Sequence, residues 1–375
     1  MQPHAFGLLF PGSRAPFGGA EVRAFTFARM LKAAGTFHPV FEVGAERLPP
    51  KGPLPAAEFE IFPGPEREFT LAKPDGDTLR AFERARLDAL VSLGANEVSH
   101  EMTRLGEALG LPTVVGIASD QSLGRAIYQN SATPNEYGVP GFHVWEALQR
   151  ADLVLAQTRW QQDHLRRLTT RASHLVPNPI PAGWEDLPAG RASAFEFDFL
   201  WVGRPGPDKN PDLVFEMARE LPRATFRMVV DGGLAALPEW WRRHLPPNVV
   251  LSDRVDGQAG IQGLMRACRA ILNTSPLEGF PNLMLQGAMV GCPTFFLAVD
   301  PDGWASEHGC AASAFGDIDA LAPLLATALT DEPRLKDMAE RARQRAETFH
   351  APAAVQRSWT GALGDLLRET GSVGA

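Results

Sequence analysis

The chain is short of cysteine, of basic charge and of long apolar runs, and each shortage removes a class of function. Its three cysteines, Cys268, Cys292 and Cys310, are odd in number and have no CxxC spacing. Neither a disulfide framework nor a zinc site is therefore expected. The charge balance is acidic, 36 Lys and Arg against 44 Asp and Glu, a formal −8. A phosphate backbone needs a basic face, so nucleic acid is not an expected partner. One local basic cluster, Arg159, Arg166, Arg167 and Arg171, leaves weak peripheral attachment to a membrane surface open. No apolar run approaches the ~20 residues that cross a bilayer. The opening residues, Met-Gln-Pro-His-Ala-Phe-Gly-Leu-Leu-Phe, lack the basic start and apolar length of a secretory leader. A cytoplasmic protein is the expectation. Solenoid-period repeats are absent.

What is present is a soluble globular composition, 45% hydrophobic and 21% charged over 375 residues. That length exceeds one ordinary core, so two domains are expected. The abundance of Ala, Arg, Gly and Pro is that of a GC-rich bacterial genome. Strand-like runs at Ala5–Phe10, Pro39–Val43, Asp88–Leu93, Thr113–Ile117, Asp152–Ala156 and His174–Val176 alternate with amphipathic segments at Ala20–Ala34, Leu79–Leu87, Glu97–Leu109 and Arg159–Leu168. This is the pattern of βαβ units on a parallel sheet. Leu48–Pro65 reads as a Pro/Gly loop. Pro177, Pro179 and Pro181 end the series, which restarts with strands at Phe197–Val202, Phe226–Val230, Val249–Leu251, Ala270–Asn273 and Pro293–Leu297. Helices follow at Glu332–Phe349 and Ala353–Arg368. The expected architecture is α/β: two Rossmann-like, doubly wound domains facing a central cleft at the carboxyl ends of their strands. The boundaries read as 1–183 for the first domain, 184–195 for a linker, 196–350 for the second, and 351–375 for a helix returning to the first.

Three segments carry chemistry. The first runs Ser275-Pro-Leu-Glu278-Gly279-Phe280-Pro281-Asn282-Leu-Met-Leu-Gln286-Gly-Ala-Met-Val-Gly291-Cys-Pro293. It reads as a strand end, a tight loop, and a short helix stopped by Gly291 and Pro293. The helix body is apolar on nearly every side, hence buried. Glu278 and Gln286 are the polar groups at its mouth, and a buried polar side chain is costly unless something bonds it. Free helix-start N–H groups beside a carboxylate suit a ligand with both phosphate and hydroxyls, such as a nucleotide sugar.

The second segment, Gly18-Gly19-Ala20-Glu21, opens a helix just after the first strand, where paired glycines let an anion approach the backbone. It is not a GxGxxG fingerprint, so a nicotinamide cofactor gains no support. The third, Val202-Gly203-Arg204-Pro-Gly-Pro-Asp208-Lys209-Asn210, places two cations at a strand end. Held together they repel, unless a diphosphate lies between them.

These segments, with Ala151–Thr158, Val176-Pro-Asn178-Pro and Val229–Gly233, occur in the order and spacing of a known family. The chain resembles GT-B glycosyltransferases of the retaining GT4 group ("glycosyl transferase group 1"). The resemblance implies transfer of a sugar from a nucleoside-diphosphate sugar to an acceptor hydroxyl, without a metal or other cofactor. It implies that Gly18 and Gly19 line the diphosphate and that Arg204 and Lys209 neutralise it. Glu278 would hold sugar hydroxyls, and Gly279, Phe280, Pro281 and Asn282 would help hold the diphosphate. Gln286 would meet the ribose, and the loop at Arg254, Val255 and Asp256 would meet the base.

Two departures from the family pattern stand out. Gln286 replaces the second glutamate of the family pair, eight positions after Glu278. The histidine that many relatives carry after the fourth strand is absent, and Ser119 and Asp120 stand there instead. Asp120 is a candidate catalytic group and Ser119 equally a helix cap. Those departures keep a degenerate nucleotide-sugar-binding protein, or a GT-B hydrolase or epimerase, as alternatives. His143 and Trp145 fall in a stretch expected to face the acceptor. Asp75-Gly-Asp77 and Asp317-Ile-Asp319 match a DxD metal pattern formally, but read as solvated or capping residues. Trp240-Trp241-Arg242-Arg243 reads as a helix face covering the second sheet.

Overall fold

The structure, a computed structural model, describes residues 4–9, 19–35, 37–44, 59–64, 76–124, 127, 132–134, 140–188, 190, 194–230, 234, 237, 239–253, 255 and 257–369. The chain divides into two compact units, residues 1–179 with 352–375, and residues 180–351.

Unit 1 is built on seven parallel strands: β1 (His4–Leu9), β2 (Phe37–Gly44), β3 (Glu60–Gly64), β4 (Ala89–Ser92), β5 (Thr113–Gly116), β6 (Leu153–Ala156) and β7 (His174–Leu175), in the order β3-β2-β1-β4-β5-β6-β7. Its helices are α1 (Gly19–Ala34), α2 (Gly76–Ala85), α3 (Glu97–Leu109), α4 (Gly141–Arg150) and α5 (Arg159–Thr169). Every residue of β4, β5 and β6 is buried, as a parallel sheet covered on both faces requires. Successive side chains alternate between faces: Val91, Val114 and Leu155 enter one core cluster, and Leu90, Val115 and Val154 the other.

Unit 2 has six parallel strands: β8 (Phe197–Gly203), β9 (Phe226–Val230), β10 (Val249–Asp253), β11 (Cys268–Asn273), β12 (Thr294–Phe296) and β13 (Ala312–Ser313), ordered β10-β9-β8-β11-β12-β13. Its helices are α6 (Asp212–Glu220), α7 (Glu239–His244), α8 (Gly257–Ala267), α9 (Asn282–Val290), α10 (Ile318–Thr330) and α11 (Glu332–Phe349). Trp241 of α7 lies in the core on one face of this sheet, as its cluster predicts. In both units the strand order reverses once, between β1 and β4 and between β8 and β11. Ligands in open α/β sheets bind outside the carboxyl ends of the strands at such a reversal.

The last helix, α12 (Pro352–Glu369), belongs to unit 1. Trp359 is fully buried and meets the ring of Phe27 on α1 at 5.2 Å. Gln356 donates to the Met30 carbonyl at 2.8 Å. The expected return of the C-terminal helix to the first domain is what the fold contains.

Three features depart from the sequence reading. Glu60–Gly64 is a strand, inside the stretch expected to be a loop. Among the described strands it pairs only with β2, and Pro63 is tolerated there because β3 is the edge of that sheet. The stretch between Asp120 and Ala151 contains α4, whose Val144, Ala147 and Leu148 face the core. Residues 180–188 run as part of unit 2, with Ile180 and Trp184 both 2% exposed in its core.

Removing the α12 anchor tests this arrangement. Trp359→Ala is expected to cost roughly 3–5 kcal/mol through the cavity it leaves. Hydrogen exchange should then show lost protection in α1 and β4–β6, with β8 and β11 unaffected. Trp359→Phe should cost far less, because the indole N–H has no partner.

Candidate functional site

The carboxyl ends of β8 and β11 flank the reversal in unit 2, and the polar groups expected from the sequence gather there. After β8 the chain makes a 3-10 turn, Pro207–Lys209, that ends on Asn210 in the left-handed region. After β11 come Thr274 and Ser275, both buried, then the loop to Glu278. Lys209 Nζ meets Glu278 Oε1 at 2.5 Å, with side chains 25% and 19% exposed. Ser275 Oγ donates to the same oxygen at 2.8 Å. Below them a buried relay ties the two strands: Trp201 Nε1 donates to Thr274 Oγ1 at 2.9 Å. Thr274 Oγ1 in turn donates to the Lys209 carbonyl at 2.7 Å. Arg204 is half-exposed, and its guanidinium lies 4.0 Å from Asp208.

The two cations therefore do not face one another unbalanced, as the sequence reading expected. Each has a carboxylate of its own, and Lys209 holds Glu278 itself. Sequence reasoning missed Thr274 and Trp201 as parts of this site. Their signal was present: a polar residue following a buried strand, across from an indole whose N–H needs an acceptor.

Helix α9 begins directly after this cluster. Gly279, Phe280 and Pro281 are buried, and the Phe280 ring is held against His350 at 4.4 Å and Trp304 at 5.6 Å. Pro281 stands at the N-cap and has no side-chain acceptor with which to cap the helix. The helix start thus retains its amide dipole. Gln286 lies one turn in, half-buried, with no hydrogen-bond partner among the described residues. Next to it Gly287 lets α9 press on β11: a Cβ there would fall 2.5 Å from Ile271 Cδ1. Gly291, at φ 78, ends the helix, as its sequence predicts. Val255 is half-buried and packs on the core beneath α8 and α9. Arg254, Asp256 and Gly18 lie outside the described residues; Gly19 is the first residue of α1.

In unit 1, Ser119 acts as a cap, accepting from the Gln121 amide at 3.3 Å. Asp120 accepts from the fully buried Gln161 of α5 at 2.8 Å. His143 on α4 stacks on His100 of α3, ring centroids 4.8 Å apart. His100 Nε2 meets Glu146 Oε2 at 2.7 Å. Burial pushes both imidazoles down, for His143 with help from its neighbour. Burial works against the Glu146 charge, but the His100 hydrogen bond and charges on His100, Arg150 and Arg104 hold its carboxyl below the usual range.

Asp317 caps α10 through the amides of Asp319 and Ala320, and Asp77 pairs with Arg80 in solvent. Among the described residues no group of His, Cys, Asp or Glu could hold a metal ion. On α5, Arg159, Arg166 and Arg167 are exposed beside Trp160 and Leu168, while Arg171 turns back to the Ala151 carbonyl. No described helix is long and apolar enough to cross a membrane.

The relay under Lys209 is open to test. Thr274→Val strands both the Trp201 N–H and the Lys209 carbonyl, and should cost roughly 1–3 kcal/mol. Denaturant midpoints read the loss, and Thr274→Ser should restore most of it.

No family model matches the sequence, and no curated protein matches it significantly. Solved structures do. Anabaena HepE, solved in complex with UDP and glucose, is 15% identical with a TM-score of 0.71, covering 96% of this chain and 99% of that one. The sucrose-phosphate synthase of Thermosynechococcus elongatus is 15% identical with a TM-score of 0.72, covering 98% of each chain. A glycosyltransferase from Rickettsia africae is 12% identical with a TM-score of 0.71, covering 98% of this chain and 100% of that one. At such identities the likeness speaks for architecture: the chain has the GT-B fold, two Rossmann-like domains shared with these proteins over nearly its whole length.

Proposed function

We propose that the protein is a retaining, metal-independent glycosyltransferase. It moves a sugar from a nucleoside-diphosphate sugar to an acceptor hydroxyl in the cytoplasm. The observation that carries the reading is the meeting of Lys209, Glu278 and Ser275 at the strand reversal of unit 2, beside the start of α9. That place offers a cation and helix amides for a diphosphate, and an acceptor-rich carboxylate for sugar hydroxyls. Support from likeness is that HepE, of the same fold, was solved with UDP and glucose.

In the step itself, the bond from the anomeric carbon to the diphosphate oxygen breaks and a bond to the acceptor oxygen forms on the same face. The acceptor proton passes to the departing phosphate. Charge grows on that phosphate, so fixed cations and N–H dipoles aimed at it are the main catalytic contribution. Lys209 and Arg204 supply the cations. The backbone at Gly279, Phe280, Pro281 and Asn282 supplies the dipoles. Glu278 orients the transferred sugar. Gln286 meets the ribose through an amide that can both accept and donate, and Arg254 and Val255 adjoin the base. Asp120, fixed by Gln161, is the acceptor-side carboxylate.

Gln286 in the place of the family's glutamate favours one second reading, a nucleotide-sugar-binding protein without turnover. Released nucleoside diphosphate separates the two. A thermal-shift screen of UDP, GDP, ADP, CDP and TDP sugars should identify the donor. With that donor, Lys209→Met and Glu278→Gln should each lower turnover by about 100-fold or more, with melting points near wild type. Turnover close to wild type in both would dismiss the diphosphate clamp, and binding without any nucleotide release would favour the second reading. Gln286→Glu should keep or raise nucleotide affinity in calorimetry.

A further inference from the structure

Arg23 is the most conspicuous charge in unit 1 that the proposed chemistry leaves unused. It sits one turn into α1, 3% exposed, and lies against the Phe27 ring at 5.3 Å. One nitrogen, Nη1, donates to the Ile117 carbonyl at 3.3 Å. Its other two donors, Nε and Nη2, are buried and have no hydrogen-bond partner among the described residues. No carboxylate among the described residues pairs with it. Burial pushes the guanidinium down to about 9, which still leaves it charged at pH 7. A buried charge with no counter-charge is strongly unfavourable.

The two empty donors are those of a single guanidinium edge, the parallel pair that grips a carboxylate or phosphate through two oxygens. The place is the carboxyl end of the unit 1 sheet, since Ile117 immediately follows β5. Two further side chains there are also unsatisfied. Gln121, four residues past Ile117, is 4% exposed with both amide atoms unpartnered. His143, near the start of α4, has both ring nitrogens buried and unpartnered, and its ring is fixed by stacking on His100. Buried polar groups are almost always bonded. Among the described residues, Arg23 and Gln121 past the end of β5 and His143 on α4 offer a fork for an anion plus mixed donors and acceptors for hydroxyls.

We infer that Arg23 is the recognition group for an oxyanion, carboxylate or phosphate, carried by the sugar-like acceptor, with Gln121 and His143 meeting its hydroxyls. The acceptor is on this view a sugar acid or a phosphorylated sugar. The inference rests on the transferase reading for the word acceptor, but its test does not.

The experiment measures melting temperature with glucose, glucuronate, glucose 6-phosphate or UDP, for wild type, Arg23→Met and Arg23→Lys. Both anionic sugars at millimolar concentration should raise the wild-type value by about 2–4 °C, and glucose should not. Arg23→Met should melt at or above the ligand-free wild type, because it removes an unpaired buried charge, and should lose both anion responses. Arg23→Lys keeps the charge without the fork and should lose most of them. The response to UDP should survive in both variants. Anion responses that persist in Arg23→Met, or that are absent from wild type, overturn the inference. So does loss of the UDP response alone, which would assign the guanidinium to the donor. A UDP response without anionic-sugar responses sinks this inference and spares the transferase reading; the opposite pattern does the reverse.

Discussion

A lysine and a glutamate from the two sides of the β8/β11 divide meet at 2.5 Å, and the chemistry of unit 2 depends on that meeting. Neither residue is free to wander. Lys209 is held through its carbonyl by Thr274, and Thr274 by Trp201; Glu278 is held by Ser275. On the proposed function, the arrangement selects a ligand with two kinds of group. A bare phosphate that takes Lys209 leaves Glu278 half-buried with one hydroxyl partner. A ligand that also brings sugar hydroxyls replaces what Glu278 gives up. Removing one member of a partly buried pair is penalised more than exchanging both partners at once, so phosphate and hydroxyls bind best from one molecule.

Much of this was legible in the sequence, and the reason is local. The buried strands β4, β5 and β6 are short, mostly apolar runs, and α9 carries its own stop in Gly291 and Pro293. Glu278 stood out because a carboxylate beside an apolar helix demands a partner. Information that lies across the chain was harder to read. Lys209 and Glu278 are 69 positions apart, and nothing in either segment says that one neutralises the other. The same holds for Trp201 and Thr274. Glu60–Gly64 was hidden by Pro63 and Gly64, residues that punctuate loops, because only its edge position in the sheet makes them harmless. Trp184 sat among prolines and glycines that read as a linker, whereas the tertiary core claimed it.

Arg23 is the instructive omission. Phe27, Leu31 and Ala34 follow it at helical spacing, which puts an arginine on the inward stripe of α1. A charge on a buried stripe is a stronger pointer than a charge on a surface cluster. Arg159, Arg166 and Arg167 are more numerous, yet all three lie on the exposed face of α5.

The two units thus hold cations in opposite ways. Lys209 is paired, so an anion entering there must compete with a carboxylate 2.5 Å away, and its net gain is the difference between two similar attractions. Among the described residues Arg23 is unpaired on one edge, so on the inference drawn above an oxyanion that reaches it displaces none of their acidic side chains. The first design limits affinity and sharpens selection for the whole ligand. The second lowers the stability of the empty protein and returns that loss on binding, so a small anion can be held firmly with few contacts.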